Sequence, residues 1–296
     1  MTVPGTDTAL LDAARATGHA VDMAQPPKIP DPTLARMREV LSACLKDAAE
    51  IQRRYFGALR TSDVVAKSRD FDLQTVADVE SERAIVARIR AAFPDHAILT
   101  EEAGGLARAG APVRWVVDPL DGTLNFRHGL AHFAISIAAE VEGEAVLGAV
   151  YNPIAGELFM AERGAGATLN GAPIHVSDAT VLGECCIAAG LPYDRRERID
   201  RYMGFFREFV LRSRGVYRGG SAALDLCFVA AGRFGGYFEE SISAWDWAAG
   251  RLIVEEAGGR VTDYSDRPPS AEGRQVCASN GAIHAAMLAI LSDMSR

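Results

Sequence analysis

The sequence predicts a mixed fold, α+β and α/β in character, with sheets and helices in layers, and three observations predict it. From residue 31 onward, Leu34, Met37, Leu41, Cys44, Leu45, Ala48, Ile51 and Tyr55 recur at helical spacing and share one face. Between residues 97 and 161, short apolar runs of strand length cluster, separated by turn residues. Beyond Cys185, strand-like and helix-like segments alternate. Clustered strands followed by alternating elements require layered sheets with helices against their faces.

The elements follow in order. Residues 1–30 read as a separate N-terminal extension: small residues and a short Ala-rich run are followed by Pro26, Pro27, Pro30 and Pro32, which interrupt regular structure. The extension is expected to be mobile or draped on the surface, the alternative being an arm docked on a neighbouring subunit. Asp31 is placed to cap the first helix, with Pro32 at its first position. A second helix runs over 76–92 with Asp78 near its start. Strands are expected at 97–99, 115–118 and 157–161, and 133–141 with 144–151 form a hairpin around Gly143. Further on come a strand after Cys185, helices from about Ile199 and from Ser221, a strand at Tyr237, a helix from Trp245, strands at Val261 and Val276, and a last helix capped by Asn280.

Composition narrows the function. With 296 residues the chain buries a substantial core, and its 39 acidic against 31 basic residues, a formal charge of −8, argue against direct nucleic-acid binding. The five cysteines form no C-x-x-C pair and no Cys/His zinc spacing, so reduced thiols and the cytoplasm are expected. His128 and His132 lie four apart, but no Glu follows the first, so the zinc-protease pattern fails. No apolar stretch reaches the ~18 residues of a membrane span, and no secretory signal is legible.

The chemistry concentrates at Asp118-Pro119-Leu120-Asp121-Gly122-Thr123-Leu124-Asn125-Phe126. The apolar run Trp115-Val116-Val117 places Asp118 at a strand's end, where Pro119 and Gly122 turn the chain. A helix starting there leaves the N–H groups of Gly122 and Thr123 free to bind an anion. Carboxylates beside an anion site suit Mg²⁺ and a phosphoryl group, although Asp, Pro and Gly together also make plain surface turns. Two further acidic clusters weigh against the plain turn: Glu101-Glu102 after the apolar run ending at Leu99, and Asp246 between Trp245 and Trp247, where a simple N-cap is the competing reading.

In this order and spacing the three clusters resemble the signature of the inositol monophosphatase family of Mg²⁺-dependent, Li⁺-sensitive phosphatases. Lys67 to Asp78, with Leu73 and Thr75, is similar to the family's lysine-to-aspartate segment. Ala167 to Gly171 with Ile174, Val176 and Ser177 is similar to its hairpin, and Gly220-Ser221-Ala222-Ala223-Leu224 to its glycine-serine-alanine helix start. The resemblance runs from about Pro32 to the C-terminus. It implies a five-layer αβαβα sandwich of the inositol monophosphatase/fructose-1,6-bisphosphatase type. Residues 31–296 then form one phosphatase domain, its 31–180 half holding most metal ligands and its 181–296 half completing the site.

The resemblance also implies roles. Glu101, Asp118 and the Leu120 carbonyl would hold one Mg²⁺, Asp118, Asp121 and Asp246 a second, and a third would sit near Glu101, giving two to three ions per subunit. Thr123 would position the attacking water with Asp78 behind it, and Glu101 belongs to the same catalytic group. Gly122, Thr123, Gly220, Ser221, Ala222 and Glu239 would touch the substrate, with Lys67 and Glu102 as further candidates. The reaction implied is hydrolysis of a small phosphomonoester, first of all inositol monophosphate, in a homodimeric enzyme without a covalent intermediate. Fructose bisphosphate, other sugar or polyol phosphates and histidinol phosphate are the alternatives. Leu124, Gln74 and Gly235 depart from the family pattern, and Glu240 adds a second carboxylate beside Glu239. Some bacterial members also join transcription and ribosomal-RNA maturation complexes, so a binding or scaffold role competes. A carboxylate at every matched acidic ligand position favours catalysis.

Overall fold

The structure is a computed structural model that describes residues 30–67, 72–106, 110–192, 194–270 and 274–293; the N-terminal extension expected over residues 1–30 lies outside them except for Pro30. The first helix, α1 (Asp31–Tyr55), begins one residue earlier than expected, because Pro30 occupies the N-cap with φ −56° and ψ 134°. Asp31 is therefore the first helical residue and not the cap. Its charge still lies in the first turn, where it complements the helix dipole. Helix α2 (Val76–Ala92) packs beside α1, and Thr75 caps it by accepting the N–H groups of Ala77 and Asp78.

These two helices cover one face of an eight-stranded sheet. Its strands are β3 (Ala97–Thr100), β4 (Gly105–Leu106), β5 (Arg114–Asp121), β6 (Ala134–Val141), β7 (Glu144–Asn152), β8 (Glu157–Glu162), β9 (Gly166–Leu169) and β10 (Ala172–Pro173), in the order β10-β9-β8-β7-β6-β5-β3-β4. A separate pair, β1 (Val64–Ala66) and β2 (Leu73–Thr75), precedes them. All the eight-stranded neighbours are antiparallel except β3 with β5. Between β6 and β7, Glu142 and Gly143 have φ of 52° and 85°, the paired positive values that a tight two-residue hairpin needs. Met37, Leu41, Ala48 and Ile85 of the helices meet Trp115, Val117, Ile135 and Ile137 of the sheet.

A five-stranded sheet follows, ordered β12-β11-β13-β15-β14, from β11 (Cys186–Ala189), β12 (Gly215–Tyr217), β13 (Gly236–Glu240), β14 (Arg260–Thr262) and β15 (Gln275–Ser279). Between the sheets lie α5 (Ala222–Ala230) and α6 (Ala244–Glu256); the short α3 (Thr123–Arg127) and the longer α4 (Ile199–Arg212) precede them in sequence. Helix α5 is apolar nearly all round because both of its sides are covered. Phe205 and Phe209 of α4 and Met287 and Leu291 of α7 (His284–Asp293) close the outer face of the second sheet against Ile187, Phe238 and Cys277. Helices, sheet, helices, sheet, helices: the five layers are those of the αβαβα sandwich.

Several expectations need correction. Strand β5 does not end before Pro119 but continues to Asp121, with its pairing to β6 irregular between Asp118 and Asp121. Pro119 has no N–H to donate, so the ladder breaks there while the chain stays extended. Strands β1, β2, β4 and β12 were not foreseen, since two or three residues are too few to show a period. The last helix starts at His284; Asn280 acts one turn ahead of it, accepting from the Ile283 N–H at 3.2 Å and donating to the carbonyls of Ser177 and Ala179. All five cysteines are free thiols. No helix among the described residues is long and apolar enough to cross a membrane.

Candidate metal centre and active-site cleft

Three carboxylates converge where β5 ends against the start of α6: oxygens of Asp118, Asp121 and Asp246 all lie within 4.8 Å of one another. Each is fixed by its own backbone surroundings. Asp118, 1% exposed, accepts the Leu120 N–H at 2.9 Å across Pro119. Asp121 accepts the Ser221 hydroxyl at 2.6 Å and the Ala223 N–H at 2.8 Å, tying β5 to the N-terminus of α5. Asp246 is the third residue of α6 and accepts the Ser243 N–H at 2.6 Å, so its capping role and its place in the cluster coincide.

Gly122 follows with φ 95°, and a Cβ there would come within 3.1 Å of the His132 carbonyl and 3.3 Å of the Gly220 carbonyl. Both conformation and space require glycine. The turn delivers Thr123, whose hydroxyl faces two acceptors: Asp78 Oδ1 at 2.9 Å and the Leu120 carbonyl at 3.1 Å. Asp78 is itself fully buried, its other oxygen accepting the Thr75 N–H at 2.8 Å. Glu101 stands beside the trio, within hydrogen-bonding reach of Asp118, and Lys67 Nζ donates to it at 2.8 Å and to Glu102 at 2.7 Å. Glu102 also accepts from Gln74.

Burial followed by mutual repulsion pushes the Asp118 and Asp246 carboxyls well above the usual carboxylate range. Burial raises Asp121 to about 7 even though Ser221 and Ala223 donate to it. Hard oxygen donors in a dry, crowded, like-charged cluster lack a counter-charge within the trio, and a divalent cation with a taste for oxygen fits that deficiency. The sign of the pH dependence follows. A carboxyl whose folded pKa is raised holds a proton in the native state over pH values where the unfolded chain has released it, so the cluster's contribution to metal-free stability is undiminished at and below about pH 4 and falls as pH rises toward about 7. Thermal unfolding in EDTA is expected to show this decline, with the gain on adding Mg²⁺ widening over the same window. A Mg²⁺ increment that does not change between pH 5 and 8 would contradict the assignment.

The carboxylates floor a cleft of about 290 Å³ whose walls include Lys67, Glu101, Gly122, Thr123, Gly220, Ala222 and Glu239. These positions, named from sequence, thus converge on one space. Ser221 differs: it is fully buried, and its hydroxyl is engaged by Asp121, so it serves the carboxylate cluster and not the cleft wall. The ambiguity at Glu239-Glu240 resolves as well. Glu240 is buried against α4, where Arg201 grips both its oxygens, Arg198 contacts one, and Gln275 adds a further donor. Glu239 lines the cleft, held by the Tyr237 hydroxyl at 2.5 Å.

Sequence reasoning missed several contributors. Glu82 accepts the N–H groups of Glu102 and Ala103, fixing the loop that presents Glu101. Arg195, Arg218 and Arg274 stand on the cleft walls. Asn125, buried within α3, donates to the His132 and Gly219 carbonyls. His132 itself contacts Asp225 at 3.2 Å. Glu82 and His132 carry no local signal, because their partners lie twenty and more residues away in sequence.

A five-layer sandwich with clustered carboxylates at a strand end, beside a hydroxyl and a glycine turn, is the architecture of a metal-dependent phosphatase class. The model of the inositol monophosphatase family matches residues 33–296, and the chain belongs to that family. The family is Mg²⁺-dependent in general, and its membership supports a phosphatase activity. Among relatives, the inositol-1-monophosphatase of Synechocystis sp. is 42% identical over 225 residues, covering 76% of this chain and 78% of its own. The Nus factor SuhB of Pseudomonas aeruginosa is 38% identical over 258 residues, covering 85% and 95%. Among solved structures, the inositol monophosphatase from Anabaena (Nostoc) sp. superposes with a TM-score of 0.79 at 37% identity, covering 88% of this chain and 97% of that one. The extragenic suppressor protein suhB from Bartonella henselae gives 0.82 at 37% identity, covering 86% and 98%.

Proposed function

We propose that this protein hydrolyses a small phosphorylated polyol or sugar, with inositol monophosphate first among its substrates. The observation that supports this reading most is the conjunction in one cleft of the three-carboxylate cluster with Thr123, whose hydroxyl is backed by the buried Asp78. Asp118, Asp121 and Asp246, with Glu101 and the Leu120 carbonyl, would hold two to three Mg²⁺ ions. When bound, Mg²⁺ supplies Lewis acidity toward water and phosphoryl oxygens.

The residues of the chain divide the remaining work. Thr123 gives its proton to Asp78, which leaves its lone pairs to accept a hydrogen from the attacking water and aim it. Burial, with the nearby Glu101 and Glu102 charges, raises Asp78 to about 7 against the opposing Thr75 hydrogen bonds, so it accepts a proton at neutral pH. The N–H groups at Gly122 and Thr123 bind phosphate oxygens at the turn. Lys67 keeps Glu101 in place and offsets its charge. Glu239 accepts a hydroxyl of the departing alcohol, and the small Gly220 and Ala222 leave room for its ring.

The test is phosphate release across inositol monophosphate, fructose bisphosphate, histidinol phosphate and adenosine bisphosphate. Activity is expected with Mg²⁺, to vanish in excess EDTA, and to be inhibited by Ca²⁺, whose longer bonds and higher coordination number do not impose octahedral geometry on the reacting groups. Inhibition by Li⁺ and a homodimer in light scattering belong to the same reading. Full turnover in EDTA would remove it. A second reading, participation in a transcription complex, is favoured by the name Nus factor that the Pseudomonas aeruginosa relative bears. Absence of Mg²⁺-dependent release from every phosphomonoester would move the balance to it.

A further inference from the structure

We infer that Gly190 and Tyr237 are positioning residues that set how the cleft recognises the alcohol portion of its substrate, by forcing Glu239 to present one carboxylate oxygen. The inference rests on the reading of Glu239 as a contact to the substrate's hydroxyls. Gly190 follows β11 and Glu239 belongs to β13, its parallel neighbour; the Gly190 N–H donates to the Phe238 carbonyl at 3.0 Å. The backbone of Gly190 therefore passes directly across the Glu239 side chain. A Cβ built on Gly190 would lie 1.8 Å from both the carboxyl carbon and Oε2 of Glu239, and 2.4 Å from Oε1. No heavy atoms coexist at such separations, so the glycine is a slot that the carboxylate fills.

From its other side, the Tyr237 hydroxyl donates to Glu239 Oε2 at 2.5 Å. Tyr237, in β13, is fully buried against the helices between the sheets, and this bond satisfies its O–H as burial demands. Oε2 is thus anchored toward the core, and Oε1 is the oxygen left to the cleft that both Gly190 and Glu239 line. A carboxylate with both oxygens open grips a pair of neighbouring hydroxyls; one anchored this way reads a single hydroxyl at a fixed position. Gly190 gives the carboxylate its place and Tyr237 gives it its orientation. Side-chain growth at position 190 drives Glu239 into the cleft, across the space for the alcohol.

Selectivity is the readout, taken as the ratio of kcat/KM for inositol 1-phosphate over that for p-nitrophenyl phosphate, which has no alcohol hydroxyl. Tyr237→Phe, which keeps the ring and removes only the anchor, is expected to lower that ratio about tenfold, the scale of one misplaced hydrogen bond, chiefly through KM. Gly190→Ala is expected to lower it further. In a Glu239→Gln background neither substitution should change the ratio again, because all three act through one carboxylate; a merely structural role would add its effect regardless. If Glu239→Gln alone leaves the ratio unchanged, the assignment of Glu239 as a substrate contact fails. If Glu239→Gln lowers the ratio while Tyr237→Phe and Gly190→Ala do not, or if their effects add fully to it, the positioning inference fails and the Glu239 assignment stands. Should Gly190→Ala not fold, Tyr237→Phe and its double variant decide the matter alone.

Discussion

Asp118→Asn is expected to cut turnover by well over the about 100-fold that loss of an outer contact to a metal ligand costs, and at the same time to raise the melting temperature of the metal-free protein. The two effects have one cause. Asp118 is buried and surrounded by Glu101, Asp121 and Asp246, so in the absence of metal its charge is opposed by desolvation first and by those neighbours next. Asn keeps the shape and the oxygen that accepts the Leu120 N–H, so that backbone contact survives. It removes the charge that metal binding needs. Relief of order 1 kcal/mol in a chain of this size raises the melting temperature by about 2 °C or more. In saturating Mg²⁺ the order should invert, with the unsubstituted protein gaining the larger increment by linkage. Melting curves in EDTA and in Mg²⁺, taken beside phosphate release, check both halves. Near-normal turnover at saturating Mg²⁺ would remove Asp118 from the metal site, and a lower melting temperature in EDTA would show that its charge stabilises the empty fold.

How much of this was legible depended on whether the information was local. The approach to Asp118 was readable because an apolar run, a proline and a glycine sit within eight residues and each restricts the backbone. Asp246 was legible as an acidic residue at a helix start, but its place among the metal ligands, like the role of Asp78, was readable only through the family resemblance. Each occupies the third position of a helix and accepts the N–H of its cap, so local sequence describes both completely as capping residues. That Asp246 also lines the cleft, and that Asp78 accepts the Thr123 hydroxyl from behind it, is decided by tertiary convergence. Glu82 shows the opposite failure: in the sequence it sits on a polar helix stretch, yet it is buried and holds the Glu101–Ala103 loop from twenty residues away. For Glu239 and Glu240, strand alternation guarantees opposite faces but not which face meets the cleft. Only the packing of Arg201 on Glu240 settles that. Gly190 gives no sequence signal at all, since its role lies in the atom it lacks.

Chemistry and recognition should separate cleanly when Thr123→Ala and Asp78→Asn are compared with Glu239→Gln. Thr123 and Asp78 form one hydrogen-bonded pair, and in the proposed mechanism that pair acts on the attacking water, so loss of either should lower kcat by about 10²- to 10⁴-fold for every substrate, the scale of a lost proton-transfer group. Combining the two should cost little more than either alone, because residues acting as a unit are not additive. Asp78→Asn also touches the cap of α2, where Asp78 accepts the Thr75 N–H, so its melting temperature is read beside that of Thr123→Ala, which leaves that cap intact. Glu239→Gln should behave differently in kind, changing the ranking among alcohol phosphates by about 1 to 3 kcal/mol where a charged hydrogen bond to a hydroxyl is lost. The measurements are steady-state constants for each variant over at least three phosphomonoesters of different alcohol, with melting temperatures to remove folding effects. Substrate-dependent losses for Thr123→Ala would place it among the alcohol contacts, and uniform losses for Glu239→Gln would move that carboxylate into the metal site or the fold.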